Sequence, residues 1–144
     1  MKPIRIALVL ALLSAAAAFA QDAPKVEVFK SASCGCCGGW VEHMRQNGFQ
    51  VTTHDVADVP GERKKLGMPD RLGSCHSAKV AGYVIEGHVP AADIRRLIKE
   101  KPSALGLAVP SMVPGSPGME GPKAVPYDTL LVTRDSMTRV FARH

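Results

Sequence analysis

Val26-Glu27-Val28-Phe29-Lys30-Ser31-Ala32-Ser33-Cys34-Gly35-Cys36-Cys37-Gly38-Gly39-Trp40 decides the fold. Val26 to Phe29 is apolar and β-prone and reads as a strand. The helix expected after it runs from Trp40 to Gln46, where Trp40, Val41 and Met44 form an apolar stripe and Gly48 supplies the stop. Between the two lie three of the chain's four cysteines. A strand that delivers thiols to a helix N-terminus favours thiolate, because the partial positive charge there lowers thiol pKa. Thiolate is both the nucleophile and the metal ligand, so this stretch is primed for either chemistry.

Outward from the cysteines, Phe49 to Thr52 is a second strand, parallel to the first after the helical crossover. The first βα turn of such a unit is where open α/β sheets place their chemistry. A short charged helix is expected over Gly61 to Leu66, closed by Gly67. Ser74 to Val80 and Tyr83 to Ile85 form a hairpin about Ala81-Gly82, and Pro90 opens a helix to about Lys99 that buries Ile94, Leu97 and Ile98. The order β-α-β-α-β-β-α is that of a thioredoxin-like α/β domain, assigned to residues 21–100.

Composition changes at Lys101. Six prolines from Pro102 to Pro126 inclusive, with Gly106, Gly115, Gly118 and Gly121, leave no regular element expected there. Thr129 to Thr133 and Thr138 to Ala142 then form a last hairpin about Arg134-Asp135. Residues 101–144 are thus a C-terminal extension, a methionine-bearing Pro/Gly-rich loop and a β-hairpin, packed on the same domain.

Residues 1–20 carry Lys2 and Arg5, a continuously apolar run from Ile6 to Ala17 broken only by Ser14, and the small-residue site Ala18-Phe19-Ala20. This is a signal peptide cleaved before Gln21, too short in its apolar run to span a membrane. No later run is long enough to cross one. Setting aside Lys2 and Arg5 leaves 16 basic residues against 13 acidic, a mild charge of about +3. With no basic run and little aromatic interleaving, nucleic-acid binding has no support. There is no Ser/His/Asp arrangement, phosphate loop or carboxylate pair.

The cysteines admit several chemistries. Cys34 and Cys37 alone would serve a dithiol oxidoreductase as the catalytic pair, with Cys36 incidental. Structural disulfides suit an exported chain but not three sulfurs within four residues. Zinc would want four ligands, and the nearest additional sulfur is Cys75, beside His76. In the thioredoxin-like order Cys75 enters the hairpin strand facing the cysteine turn. Met112 and Met119 lie in the Pro/Gly loop rather than on an amphipathic face, and are either ligands or a hydrophobic lid. Thioether with thiolate is the ligand set of Cu(I), and imidazole from His76 or His88 suits either copper state. His43, His54 and His144 read as surface residues.

The segments 28–40, Ser74-Cys75-His76-Ser77-Ala78, 82–90, 106–112 and 115–120 together resemble the CopG family of exported copper-resistance proteins. The resemblance covers essentially the whole chain after residue 20. It implies a thioredoxin-like domain with a C-terminal extension, and a multinuclear copper site bridged by cysteine sulfur. It further implies a periplasmic role in interconverting Cu(I) and Cu(II). The matching positions are Cys34, Cys36, Cys37 and Cys75, with Met112 and Met119 from the extension; His76 and His88 complete the expected metal set. Expected partners are copper ions and a copper exporter or electron partner, and the expected state is a monomer. A non-catalytic copper carrier and a metal-free thiol–disulfide oxidoreductase are the competing readings.

Overall fold

The computed structural model describes residues 23–144; the expected signal peptide lies outside the described residues. β1 (Lys25–Lys30), α1 (Gly35–Gln46) and β2 (Gln50–Asp55) form the expected crossover unit, with β1 and β2 parallel from Lys25↔Gln50 to Lys30↔Asp55. α2 (Val59–Lys65) and a 3₁₀ turn (Asp70–Leu72) lead into β3 (His76–Val80), and β4 (Tyr83–Gly87) returns beside it. α3 (Ala91–Glu100), β5 (Gly106–Val109), β6 (Asp128–Val132) and β7 (Thr138–Arg143) complete the chain. All seven strands join one mixed sheet in the order β2-β1-β3-β4-β5-β6-β7. No helix among the described residues is long and apolar enough to cross a membrane.

α1 begins at Gly35, five residues before the sequence pattern places it. Cys34 holds the extended N-cap position, and the Gly38 N–H donates to its carbonyl at 3.3 Å. Gly38 and Gly39 are poor helix formers, about 1 kcal/mol each below alanine, and they mask this first turn in the sequence. Tertiary packing overrides them: Cys37, Trp40, Val41 and Met44 are all buried on one face, and a fully buried large apolar side chain contributes roughly 1.5–3 kcal/mol. α2 also starts early, because the Asp58 side chain caps the Gly61 N–H at 2.9 Å and Pro60 is tolerated in a first turn.

The stretch expected to lack regular structure contains β5, which pairs in parallel with β4 from Val84↔Gly106 to Gly87↔Val109. Its four residues are all buried, so it shows no alternation of apolar and polar positions. It occupies the longest proline-free window of that stretch, from residue 103 to 109. Gly106 is required there: a Cβ would lie 1.7 Å from the Val84 carbonyl oxygen.

The main core packs α1 and α3 on the sheet, with Trp40, Met44, Ile85, Ile94, Leu97 and Leu107 fully buried. β1 runs antiparallel to β3, with Lys30 opposite His76. That register sets the end of β1 beside the start of β3, and so fixes which residues can meet.

Candidate metal centre

Cys34 caps α1, and Cys36 and Cys37 occupy its first turn. Cys75 sits one residue before β3, so the β1–β3 register brings it to the cysteine turn. Cys34 and Cys37 are joined as a disulfide, while Cys36 and Cys75 are free thiols of intermediate exposure. Cys36 Sγ lies between the others, 3.5 Å from Cys34 Sγ and 3.6 Å from Cys75 Sγ. The ligand atoms of all four cysteines fall within 4.8 Å of one another. With the disulfide closed, two of the four sulfurs offer no thiolate.

A second group shares Cys75. His76 and His88 are both fully buried, and their rings meet edge to face with centroids 5.1 Å apart. Cys75 Sγ is 3.0 Å from His88 Nε2 and 3.5 Å from His76 Nδ1. His88 Nδ1 lies 2.7 Å from the Pro117 carbonyl oxygen, which can only accept. The His88 proton is therefore on Nδ1, and the Nε2 lone pair is turned toward the thiol. Trp40 walls the site: its Nε1 donates to the Val89 carbonyl at 2.8 Å, and its ring centroid is 4.5 Å from that of His76. Among the described residues the buried His76 Nε2 has no hydrogen-bond partner.

Burial dominates the electrostatics. The Cys75 thiol is pushed up to about 12, first by desolvation and then by its neighbour Cys36. His76 is pushed down to about 3 by burial and then by His88, and His88 is lowered by burial against the pull of Pro117 and Glu120. Cys75 and both imidazoles are thus neutral.

Cys75 is held by groups that sequence reading missed. The Ser74 N–H donates to Glu86 Oε1 and Arg63 Nη2 donates to the Ser74 carbonyl, both at 2.7 Å. Arg63 Nε closes the ring onto Glu86 Oε1 at 2.8 Å. Glu86 is fully buried, and burial raises its carboxyl pKa against the hydrogen bonds from Ser77, Ser74 and Arg63 that lower it. Arg63 belongs to the short charged helix expected over Gly61 to Leu66, where nothing in the sequence sets it apart. The available signal was Glu86, an acid following the apolar run Tyr83-Val84-Ile85.

The Pro/Gly loop folds over this site with its own hydrogen bonds. The Met119 N–H donates to the Ser116 carbonyl and the Gly115 N–H to the Met119 carbonyl, both at 2.8 Å. Gly118 lies on the start of α1: its φ is +83°, and a Cβ would stand 2.5 Å from Trp40 N and 2.7 Å from the Cys36 carbonyl oxygen. Met112 is 54% exposed and lines a cavity of about 340 Å³ with Gly73, Ser74, Cys75 and Ser111. Met119, next to Gly118, is of intermediate exposure.

Two histidines expected at the surface have structural partners. His43 Nε2 accepts the Ala91 N–H at 3.0 Å at the start of α3. His144 Nε2 donates to Asp93 Oδ2 at 2.8 Å, and its ring stacks on Tyr127. His54 stays exposed, stacked on Phe29.

Comparison with known proteins agrees with this picture. A family model described as a protein of unknown function, DUF411, matches residues 72–119, the segment holding Cys75, His76, His88 and both loop methionines. No curated protein matches the chain. A solved structure titled "Copper resistance protein copG- Form 2" is 42% identical, with a TM-score of 0.81, over 85% of this chain and 99% of that one. Its Form 1 counterpart is 43% identical, with a TM-score of 0.78, over 83% of this chain and 96% of that one. Identity at this level over nearly the whole of the solved chains places this chain in the CopG family of copper-resistance proteins.

Proposed function

We propose that this chain is a periplasmic copper-binding redox protein of copper resistance, exported by residues 1–20. Residues 21–100 form a thioredoxin-like domain, and 101–144 its methionine-bearing extension. One observation carries the reading: four cysteine sulfurs and two buried imidazoles converge in two groups that share Cys75. Neither group contains a carboxylate, so the donors are thiol and imidazole, which suit copper rather than magnesium or calcium. The unpartnered His76 Nε2 fits a buried site whose polar groups await a further partner.

Cys34, Cys36, Cys37 and Cys75 would hold copper as thiolates and His76 and His88 through imidazole nitrogen, with Met112 and Met119 as weak thioether donors. Three sulfurs so close cannot comfortably wrap one ion, but each can bridge two, which favours a multinuclear site. Copper bound there supplies one-electron chemistry between Cu(I) and Cu(II).

The chain's own contribution is to set how many thiolates are on offer. Opening the Cys34–Cys37 disulfide takes up two electrons and two protons and returns two thiols to the set. The α1 N-terminus favours their deprotonation. The burial that disfavours the Cys75 thiolate means that metal must displace the proton, so loading releases protons.

The closed disulfide supports a second reading, a metal-free thiol–disulfide oxidoreductase using Cys34 and Cys37. Copper counting with absorption spectra on reduced, reloaded protein separates the two. More than one copper per chain is expected, and one or fewer would sink the multinuclear reading. Under the copper reading Cys36→Ser should lower that count; under the dithiol reading, which needs only Cys34 and Cys37, it should leave insulin-type disulfide reduction intact.

A further inference from the structure

The spacing of the sulfurs has an order that metal binding does not need. Cys36 Sγ touches both Cys34 Sγ, at 3.5 Å, and Cys75 Sγ, at 3.6 Å, whereas the Cys37 sulfur faces the Cys75 carbonyl oxygen, also at 3.5 Å. Cys36 is therefore the bridge between an existing disulfide and a second free thiol. Cys75 also lines the cavity of about 340 Å³ whose rim includes the exposed Met112. Cys37, by contrast, is fully buried.

We propose that the cluster is an internal disulfide relay, which moves the disulfide from Cys34–Cys37 to Cys36–Cys75 and so presents it to a thiol of another molecule at the Cys75 cavity. In the first step the Cys36 thiolate attacks Cys34 Sγ. The Cys34–Cys37 bond breaks, a Cys34–Cys36 bond forms, and Cys37 leaves as thiolate and takes the proton that Cys36 gave up. In the second step Cys75 attacks Cys36 Sγ and Cys34 leaves. Cys75 gives up its proton to hydroxide at the open cavity as it attacks, and Cys34 takes one from water as it leaves. Two thiols are consumed and two released, so electrons and protons balance within the chain and no oxidant is needed. An incoming thiol then attacks Cys75 Sγ, forming a mixed disulfide and freeing Cys36.

The relay requires no copper, so its failure leaves the copper reading standing, and loss of copper binding leaves the relay standing. The test uses the full chain, stripped of metal by chelation and carrying one disulfide and two free thiols. It is held at mildly alkaline pH, quenched in acid, alkylated, digested and mapped by mass spectrometry. Wild type should give Cys34–Cys37 and Cys36–Cys75 peptides from the same population. Cys36→Ser should lose the second pairing and keep the first. Cys37→Ser, oxidised, should give Cys36–Cys75. With reduced glutathione as the probe, wild type should form a mixed disulfide mapped to Cys75, and Cys36→Ser should not. A wild-type population that holds only Cys34–Cys37, with Cys36 and Cys75 still alkylated, would overturn the relay. So would glutathione trapped only on Cys34 or Cys37, or pairings scrambled without regard to Cys36.

Discussion

His88 Nε2 stands 3.0 Å from the Cys75 sulfur because its other nitrogen, Nδ1, is held by the Pro117 carbonyl 2.7 Å away. The orientation of a candidate ligand on one side of the sheet is therefore fixed by a loop that arrives from residue 117. Outer partners of this kind orient metal-binding histidines and select their tautomer.

The loop reaches His88 only because Gly118 can lie against Trp40 N and the Cys36 carbonyl. Gly118→Ala adds a Cβ 2.5 Å from Trp40 N at a φ of +83°, so the loop must lift and Pro117 must leave His88. Copper affinity should fall by roughly 10–100-fold, the range for loss of an outer-shell partner. The fold should remain. Competition with a Cu(I) chelator measures the first effect and circular dichroism the second; unchanged affinity would mean that His88 does not depend on Pro117.

Arg63 and Glu86 are the second support, and their energetics differ. Arg63→Met removes one member of a buried pair and leaves the fully buried Glu86 carboxylate uncompensated. Breaking such a pair costs about 3–5 kcal/mol. The double change Arg63→Met/Glu86→Leu should recover part of that loss, because no buried charge is left alone, though Ser74 still loses its backbone partners. Urea unfolding of the three proteins checks the order. A double variant less stable than Arg63→Met would refute the argument.

His43 gives a pH signature independent of the cysteines. Burial lowers its pKa from the ordinary 6.5, with Glu120 opposing. A depressed folded pKa contributes stability that is present above the unfolded value and lost as pH falls through the folded one. His43 should therefore help the fold at neutral pH and penalise it as pH drops below about 6.5. His43→Gln keeps an acceptor for the Ala91 N–H and removes the titration. Thermal unfolding of the two proteins across this range should show wild type losing more stability on the acid side, and parallel curves would exclude the effect.

Much of this was legible in the chain. The β1–α1–β2 unit follows from Val26 to Phe29, the Trp40/Val41/Met44 stripe and the strand after Gly48, since periodicity and stop signals are local. The Cys34/Cys36/Cys37 cluster is local as well. The meeting with Cys75 needed only the strand order. What stayed hidden depends on contacts across the sheet. β5 is buried on both faces and so carries no alternation, and the first turn of α1 is concealed by Gly38 and Gly39, where packing outweighs propensity. The Arg63–Glu86 pair joins α2 to β4, and nothing along either segment announces the other.

The methionines bear on the loop itself. Met112 is 54% exposed and borders the Cys75 cavity, so burial alone gives it little reason to be apolar. Met119 follows Gly118, and its backbone is hydrogen-bonded to Ser116 and Gly115. Met112→Leu/Met119→Leu keeps the volume and removes only sulfur. Swaps of this kind cost less than about 1.5 kcal/mol even in cores, and surface changes usually stay within about 0.5 kcal/mol. Unfolding of the metal-free protein should therefore barely move. If the thioethers bind copper, the double variant should lose affinity to a Cu(I) competitor while the thiolates keep the number of ions per chain. Protease cleavage within residues 110–126 should also slow on copper loading in wild type and slow less in the variant. Affinity and protection both unchanged would mean that the two methionines merely pack, and that sulfur from the four cysteines is sufficient.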